Sequence, residues 1–295
     1  MSGYYQGLLI LVCINLIAVL GVSILTGFTR LFSFGNAGFM SIGAYTAAIL
    51  SSNFNVPFLP SILAGAVLAT FIAFLLGKLT LNLRGDYFLI ATLGFGESVR
   101  VLFNYIVPVT GGAQGFSAIP VIPGNELLTV ALITIVCIAI ARSIIYSKYG
   151  RNIMAIREDE MAAQAVGINV ASYKNFAFTT SGFFAGLSGG LWAHYFTFIS
   201  PLMFNLDKSA EMTIVVVIGG LGSLTGTIIA SILVTVLPEI LRAASEYRML
   251  AYGIAVVLII NLWPSGLMGY KEFSFSWFRT LWVSTKTLIK KIGAK

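Results

Sequence analysis

Apolar residues come in long runs along this chain, and short polar or glycine-rich stretches interrupt them. Most of the runs approach or exceed the roughly 18–20 residues that a helix needs to cross the hydrocarbon core of a bilayer. Hydropathy and helix-breaking residues therefore predict an all-α fold, a polytopic transmembrane helical bundle of about 8–10 membrane segments, some of them short or broken. The predicted segments are about 4–27, 34–51, 58–80, 87–107, 126–146, 173–197, 209–221, 224–241 and 249–263.

The small share of charged residues excludes a soluble protein of this size. Of the 295 residues, 58% are hydrophobic and 10% are charged, whereas an ordinary soluble domain carries about 25% charged residues. The net charge of +7 raises the question of a nucleic-acid partner, but the basic residues lie in loops and a tail, as in a membrane protein. We predict one transmembrane domain, residues 1–270, that contacts membrane lipid and no nucleic acid.

The basic residues also predict the orientation. They concentrate in 142–174 and in the tail 271–295, which the positive-inside rule places in the cytoplasm. The segments 108–124 and 198–208 then face outside. We expect a multi-pass protein of the plasma membrane, which is the inner membrane in a Gram-negative cell. The tail interleaves aromatic and basic residues, so it is either an amphipathic helix on the inner leaflet or a disordered basic extension.

The predicted segments 209–221 and 224–241 cannot together be one full span, because three full spans after Lys174 would leave the basic tail outside. A 13-residue helix rises only about 20 Å against a hydrocarbon core of roughly 30 Å. We predict two short helices joined at the glycine-rich stretch 219–223, a pairing that also places the basic tail in the cytoplasm. Because short or broken helices are tolerated where they line protein or a water-filled cavity, this region is a first indication of a transport pathway.

The polar stretch 151–168 is rich in helix formers and predicts one short cytoplasmic surface helix that ends near Gly167. It is either a solvated connection or a docking helix, since Ala162, Ala163 and Gly167 are small enough to fit closely into a partner's groove. At helical spacing, Ala163 and Gly167 would share one face.

Several motifs resemble those of a known family. Glu160-Met161-Ala162-Ala163 followed by Gly167 resembles the EAA-type loop by which permeases of ABC importers bind their ATPase subunits, although Met161 interrupts the motif. Further segments resemble, in order and spacing, the M-type subunit of the branched-chain amino-acid permease family, over about residues 20–270. These segments are Ser33–Tyr45, Arg84–Glu97, Thr110–Gly112 with Gly115, and Gly219–Gly226.

This resemblance implies a set of partners. A homologous second permease subunit, two ATPase subunits and an extracytoplasmic substrate-binding protein would complete the transporter. The chain has no GxxxxGK[ST] phosphate loop, so ATP and Mg²⁺ would bind to the partner subunits and none of the cofactors to this chain. Residues Glu160, Ala162, Ala163 and Gly167 would then contact the ATPase.

Glu97 is the most informative candidate for the substrate pathway, because it lies near the middle of a predicted span. A carboxylate at that depth costs at least a few kcal/mol unless it faces protein or water. Asp86, Glu97 and Arg100 fall within about 60° of one helix face. Glu97 either pairs with Arg100 or contacts substrate, and both can hold together. The complete set of candidates is Ser33, Gly35, Asn36, Asp86, Thr92, Glu97, Gly111 and Gly112.

Glycines at four-residue spacing predict close helix packing. They are Gly182, Gly186 and Gly190, and also Gly222 and Gly226. The packing is either inside this subunit or at the seam with a second permease. His194 is the single histidine; without other ligands at suitable spacing we expect a polar residue near the outer interface and no metal site.

The leading functional hypothesis is a permease subunit of an ATP-driven importer of branched-chain or other small hydrophobic amino acids. A relative that carries urea or short amides is one alternative. An ion-coupled secondary transporter is another, although it would need a relay of intramembrane ionisable groups and few are present. We expect no enzyme, since the spans offer neither a nucleophile–base pair nor a metal cluster.

Overall fold

The structure is a computed structural model, and it describes residues 2–83, 85–240, 253–254, 256–257, 261 and 266–269. Most of the predicted segment 249–263, the tail 271–295 and Arg84 lie outside the described residues.

Helices account for nearly all the regular structure of the described residues, in agreement with the predicted helical bundle. From Ser2 to Ile240 the structure has eleven α-helices: α1 Ser2–Val22, α2 Asn36–Asn53, α3 Phe58–Thr80, α4 Asp86–Tyr105, α5 Val107–Thr110, α6 Glu126–Tyr146, α7 Lys148–Glu158, α8 Glu160–Ala165, α9 Val170–Phe196, α10 Leu206–Gly219 and α11 Leu224–Ile240. A π-helical turn, Ser23–Gly27, continues α1, and short 3-10 turns occupy Gly112–Gln114 and Pro201–Phe204.

Within the described residues, three helices are long and apolar enough to cross a membrane: Gly3–Gly27, Phe58–Thr80 and Glu126–Tyr146. The first is largely buried by the rest of the chain, whereas the other two leave most of their apolar surface uncovered. Exposed side chains such as Val67, Phe71 and Ile135 would be unfavourable in water and are favourable against lipid tails. These helices support a multi-pass membrane protein.

Helix α9 occupies the centre of the bundle and packs against α1, α2 and α3. The approach to α3 is close because small residues face each other: a Cβ added to Gly186 would lie 2.5 Å from Cβ of Ala69, and one added to Gly190 would lie 3.1 Å from Ile62. Gly182 lies against Ala73 and Ala69 of α3. The three glycines therefore contact α3 of the same chain.

Helices α10 and α11 form a hairpin whose connection is the predicted glycine-rich stretch. We call residues 219–223 the glycine turn; Gly220 and Gly222 there have φ of +113° and +101°, which side chains rarely tolerate. A Cβ on Gly219 would lie 2.7 Å from the backbone of Gly226 across the hairpin. The described segment 266–269 packs on this turn, since Leu267 N donates to Ile218 O at 2.8 Å. The prediction of two short helices joined at 219–223 is confirmed.

The prediction of one surface helix over 151–168 is wrong, because the chain forms α7 and α8 with a break at Asp159. The Asp159 carboxylate accepts hydrogen bonds from the amides of Met161 and Ala162, at 2.8 and 3.0 Å, and so caps the start of α8. Helix α8 ends in a Schellman motif: Ile168 N donates to Ala163 O and Gly167 N to Gln164 O.

The shared face predicted for Ala163 and Gly167 is also wrong. Ala163 is 4% exposed and packs with Ile156 and Val170 inside the chain. Gly167 lies beyond the helix with a φ of +86°. A larger residue at Gly167 would strain this turn whatever it contacts.

Candidate functional site

Two helices begin inside the bundle and their first turns meet. Ala37, in the first turn of α2, donates its backbone N–H to Oγ of Ser209 in α10 at 2.9 Å. The neighbouring Lys208 reaches Oδ1 of Asn15 at 3.2 Å, and Asn15 lies near the middle of α1. Phe34 N, just before α2, donates at 3.2 Å to Oγ1 of Thr92, which lies about two turns into α4. Both helix starts therefore lie partway through the bundle, not at its ends.

A narrow cleft, too tight in this structure to hold a water molecule, lies where these two helix starts face α4. Apolar and polar side chains from three parts of the sequence line this cleft. The lining residues are Phe34, Ala37, Leu93, Gly96, Glu97, Phe204, Asn205, Leu206 and Ser209.

Buried polar side chains hold the loop that precedes α2. The Asn36 side chain is fully buried; its Nδ2 donates to Ser33 O at 3.1 Å, and its Oδ1 accepts from Ser181 Oγ at 2.9 Å. Ser33 Oγ accepts from Gly35 N at 3.2 Å. A Cβ on Gly35 would lie 3.0 Å from Thr92 O, so a larger residue would push the loop slightly away from α4.

Glu97 places a carboxylate at the cleft and pairs with Arg100. This pairing is one of the two alternatives that the sequence predicts for Glu97, the other being contact with substrate. Nε and Nη2 of Arg100 both approach Oε2 of Glu97 at 2.7 Å. The Glu97 side chain is 34% exposed and the Arg100 side chain is 29% exposed, so this pair lies at the edge of the cleft.

The structure brings together five of the eight predicted pathway residues and leaves three elsewhere. Ser33, Gly35, Asn36, Thr92 and Glu97 line or support the cleft, as described above. The other three lie apart from it: Asp86 is exposed at the start of α4, and Gly111 and Gly112 form a turn with φ of +74° and +58° after α5.

The residues predicted to contact an ATPase lie together at the end of the bundle where α7 and α8 pack on α9. Glu160 forms an ion pair with Lys174 of α9, and Ala162 is exposed. Met161 and Val166 expose 80% and 77% of their surface. Helix α7 is anchored beneath them, since Asn152 Nδ2 donates to the Tyr173 hydroxyl at 2.6 Å. Thus α8 offers an apolar, solvent-facing edge on a fixed base.

Sequence reasoning missed Lys208 and Ser209. Lys208 Nζ donates to Glu211 Oε2 at 3.0 Å as well as to Asn15, and lies 5.0 Å from the centre of the Trp192 ring. A signal was present: Asn205, whose Oδ1 accepts from Lys208 N at 3.1 Å, is a typical N-cap residue before an apolar run. That signal identifies the start of α10 but not its depth in the bundle.

His194 is buried and joins the loop before α6 to the core. Its Nδ1 donates to Pro120 O at 2.7 Å, and its Nε2 lies 3.3 Å from Oγ of Ser61 in α3. Within the described part of the chain, no three His, Cys, Asp or Glu side chains cluster in a way that could hold a metal ion.

Comparisons with known proteins agree on one family. The family model "Branched-chain amino acid transport system / permease component" matches residues 4–262. The chain is 34% identical, over 88% of its length and 68% of the relative's, to the high-affinity branched-chain amino acid transport system permease protein LivM of Escherichia coli (strain K12).

Two more distant relatives fit the same pattern. The corresponding LivH protein of Escherichia coli (strain K12) is 25% identical over 56% of this chain and 53% of its own. The probable branched-chain amino acid transport permease protein LivM of Methanocaldococcus jannaschii is 24% identical over 70% of this chain and 67% of its own. No solved structure matches the chain.

Proposed function

This chain belongs to the family of permease components of branched-chain amino acid transport systems, and from that premise we propose that it lines the membrane pathway of an ATP-driven importer of branched-chain amino acids. The observation that carries the proposal is the cleft between the starts of α2 and α10. It offers three kinds of contact, and each suits one part of an aliphatic amino acid.

The helix starts suit the carboxylate. The first turns of α2 and α10 carry backbone N–H groups without partners inside their own helices, and the helix dipole is positive at that end. Discontinuous helices whose N-termini point at an anionic substrate group near mid-membrane are a recurrent transporter design. Opening the Ala37–Ser209 hydrogen bond of 2.9 Å would separate the two helix starts and admit a carboxylate between them.

The remaining lining suits the rest of the substrate. Glu97 can accept a hydrogen bond from the substrate ammonium group, because its ion pair with Arg100 lies at the cleft edge. Phe34, Leu93 and Phe204 supply apolar surface for a branched aliphatic side chain. A urea or short-amide substrate would leave the ammonium and carboxylate contacts unused, so the cleft favours an amino acid.

We further propose that a homologous permease, two ATPase subunits and an extracytoplasmic binding protein complete the transporter. ATP and Mg²⁺ would bind to the ATPase subunits, which would contact the exposed edge of α8 at Glu160, Met161 and Ala162. The membrane would be the plasma membrane with the C-terminus in the cytoplasm. This orientation is supported by segment 266–269, which packs on the glycine turn at the same end of the bundle as Arg157 of α7.

Reconstitution in liposomes tests the proposed function. The complete complex should take up leucine, isoleucine or valine only with ATP on the ATPase side, and excess urea or acetamide should not compete. Uptake by this chain alone, driven by an ion gradient, would instead support a secondary transporter.

A pair of variants tests the cleft itself. Leu206→Asp adds a carboxylate at the start of α10, where a like charge about 4 Å from the substrate carboxylate costs roughly 4 kcal/mol at an effective dielectric of 20. Uptake should fall by an order of magnitude or more. Leu202→Asp makes the same change at a residue that does not line the cleft, and it should transport normally. Equal effects of both changes would contradict the cleft as the pathway.

A further inference from the structure

Arg157, the penultimate residue of α7, extends away from the solvent-facing edge of α8 and into the glycine turn. Its side chain is only 12% exposed. A Cβ added to Gly222 would lie 2.5 Å from Nη1 of Arg157, so the guanidinium lies directly against the backbone of the turn. Since Gly222 also has a φ of +101°, a side chain there would be strained and would displace the guanidinium.

Neighbouring groups fix the guanidinium in this position. Nε and Nη2 of Arg157 donate to the same oxygen, Oε1 of Glu158, at 3.0 and 2.7 Å. These hydrogen bonds, with the charges of Arg157 and Arg30, lower the pKa of the Glu158 carboxyl from its usual value. A glutamate is ionised throughout the neutral range at its usual pKa, and the lowered pKa extends that ionisation to more acidic pH.

The end of α1 also reaches this point. A Cβ on Gly27 would lie 3.3 Å from Gly222 N, so the last π turn of α1 and the glycine turn are in backbone contact. Arg157 therefore lies where α7, the end of α1 and the α10–α11 hairpin meet, and a displacement of α7 must be transmitted to the hairpin or break this contact.

The hairpin connects that point to the cleft. Helix α10 is an unbroken helix of 14 residues from Leu206 to Gly219, which spans about 20 Å. One end carries the glycine turn against Arg157, and the other carries Ser209, whose hydroxyl holds the start of α2. A helix of this length moves as one body, so a shift of the glycine turn also displaces Ser209.

We propose that Arg157 is the positioning residue that couples movement of the α7–α8 segment to opening of the cleft, through the glycine turn and α10. This inference rests on the proposed function, since it assumes that an ATPase moves α8. Arg157 acts by position: its planar guanidinium is bonded to Glu158 and lies against the backbone of Gly222, so a displacement of α7 is transmitted to the turn.

The test compares ATP hydrolysed per amino acid transported in the reconstituted complete complex. Arg157→Ala removes the contact with the glycine turn and should raise this ratio by tenfold or more, within the 5–150-fold range usual for coupling between sites, while the ATPase stays bound. Arg157→Lys keeps the charge and much of the reach but not the planar fork, and should give a smaller increase. Arg151→Ala removes an exposed arginine of the same helix and should leave the ratio unchanged.

Two outcomes would overturn the inference. One is an unchanged ratio in Arg157→Ala, including the case in which hydrolysis and uptake fall in parallel, as they would for a merely structural residue. If Arg157→Ala does not assemble, Arg157→Gln, which keeps most of the side-chain length without the charge, decides by the same ratio. A wild-type complex whose uptake does not depend on ATP would overturn the proposed function itself, and the inference with it. ATP-dependent wild-type uptake with an unchanged variant ratio would overturn the inference alone.

Discussion

Gly186 lies where three helices meet, and substituting it tests how the bundle is held together. Its carbonyl lies against Gly43 of α2, and a Cβ added to it would lie 2.5 Å from Ala69 Cβ and 3.1 Å from Ala66 Cα of α3. Carbon atoms in favourable contact are about 3.5–4.0 Å apart. In Gly186→Ala, α9 and α3 must therefore separate by roughly 1–1.5 Å, or the helices must distort.

The expected cost follows from comparison with a matched glycine. Forcing a methyl into a filled interior costs about 1–3 kcal/mol, whereas replacing a helical glycine with alanine gains about 1 kcal/mol in helix propensity. Gly94 is also helical, and a Cβ there would meet nothing within 4 Å. Because the propensity gain is common to both variants, Gly186→Ala should be about 1–3 kcal/mol less stable than Gly94→Ala.

The free energy of unfolding of each variant can be measured in mixed micelles by titration with a denaturing detergent. Uptake per folded complex should remain near wild type in both, since neither methyl lies in the cleft. Equal stability of the two variants would refute the argument that backbone contact at Gly186 joins α9 to α3.

Two further predictions concern the cleft and the orientation. Glu97→Leu should reduce uptake or the amount of protein in the membrane, because it leaves the Arg100 charge without its partner. Glu97→Gln should have a milder effect, because the amide still forms hydrogen bonds. Wild-type uptake and abundance in Glu97→Leu would contradict this prediction. A single cysteine that replaces Lys286 or Arg151 should react with impermeant reagents only from the cytoplasm, and one that replaces Ser117 should react only from outside. Labelling of position 286 from outside alone would refute the orientation.

The helical class and most helix positions could be predicted from the sequence because the lipid bilayer that surrounds the protein determines them. Lipid requires long apolar runs, and α3 at Phe58–Thr80 and α6 at Glu126–Tyr146 coincide with the predicted 58–80 and 126–146. The short pair α10 and α11 could also be predicted, since the glycine turn interrupts an apolar run too long for one short helix and too short for two full spans.

The cleft could be predicted only in part. Glu97 stands out because a carboxylate in an apolar run has few acceptable environments. By contrast, Ser209 is an ordinary serine until the fold places its hydroxyl beside Ala37 N. The interruption of the helix predicted over 151–168 depends on Asp159, whose capping bonds compete with helix continuation. Helix propensity averaged over 151–168 does not reveal such a local competition. Ala163 faced inward because α8 packs on α9, a tertiary contact that spacing alone does not specify.

The π-helical turn at Ser23–Gly27 bears on how chain length can vary among related proteins. A π turn closes its hydrogen bonds from i to i+5 and so holds about one residue more than an α turn. Deleting one residue between Val22 and Phe28 would let α1 finish as a regular helix while both flanks keep their places, including Gly27 against the glycine turn. Relatives that are one residue shorter here should keep the same bundle, whereas a deletion in the middle of α9 would rotate half of that helix out of register with α3. Gaps in alignments of such relatives are therefore expected at the end of α1 and not within α9.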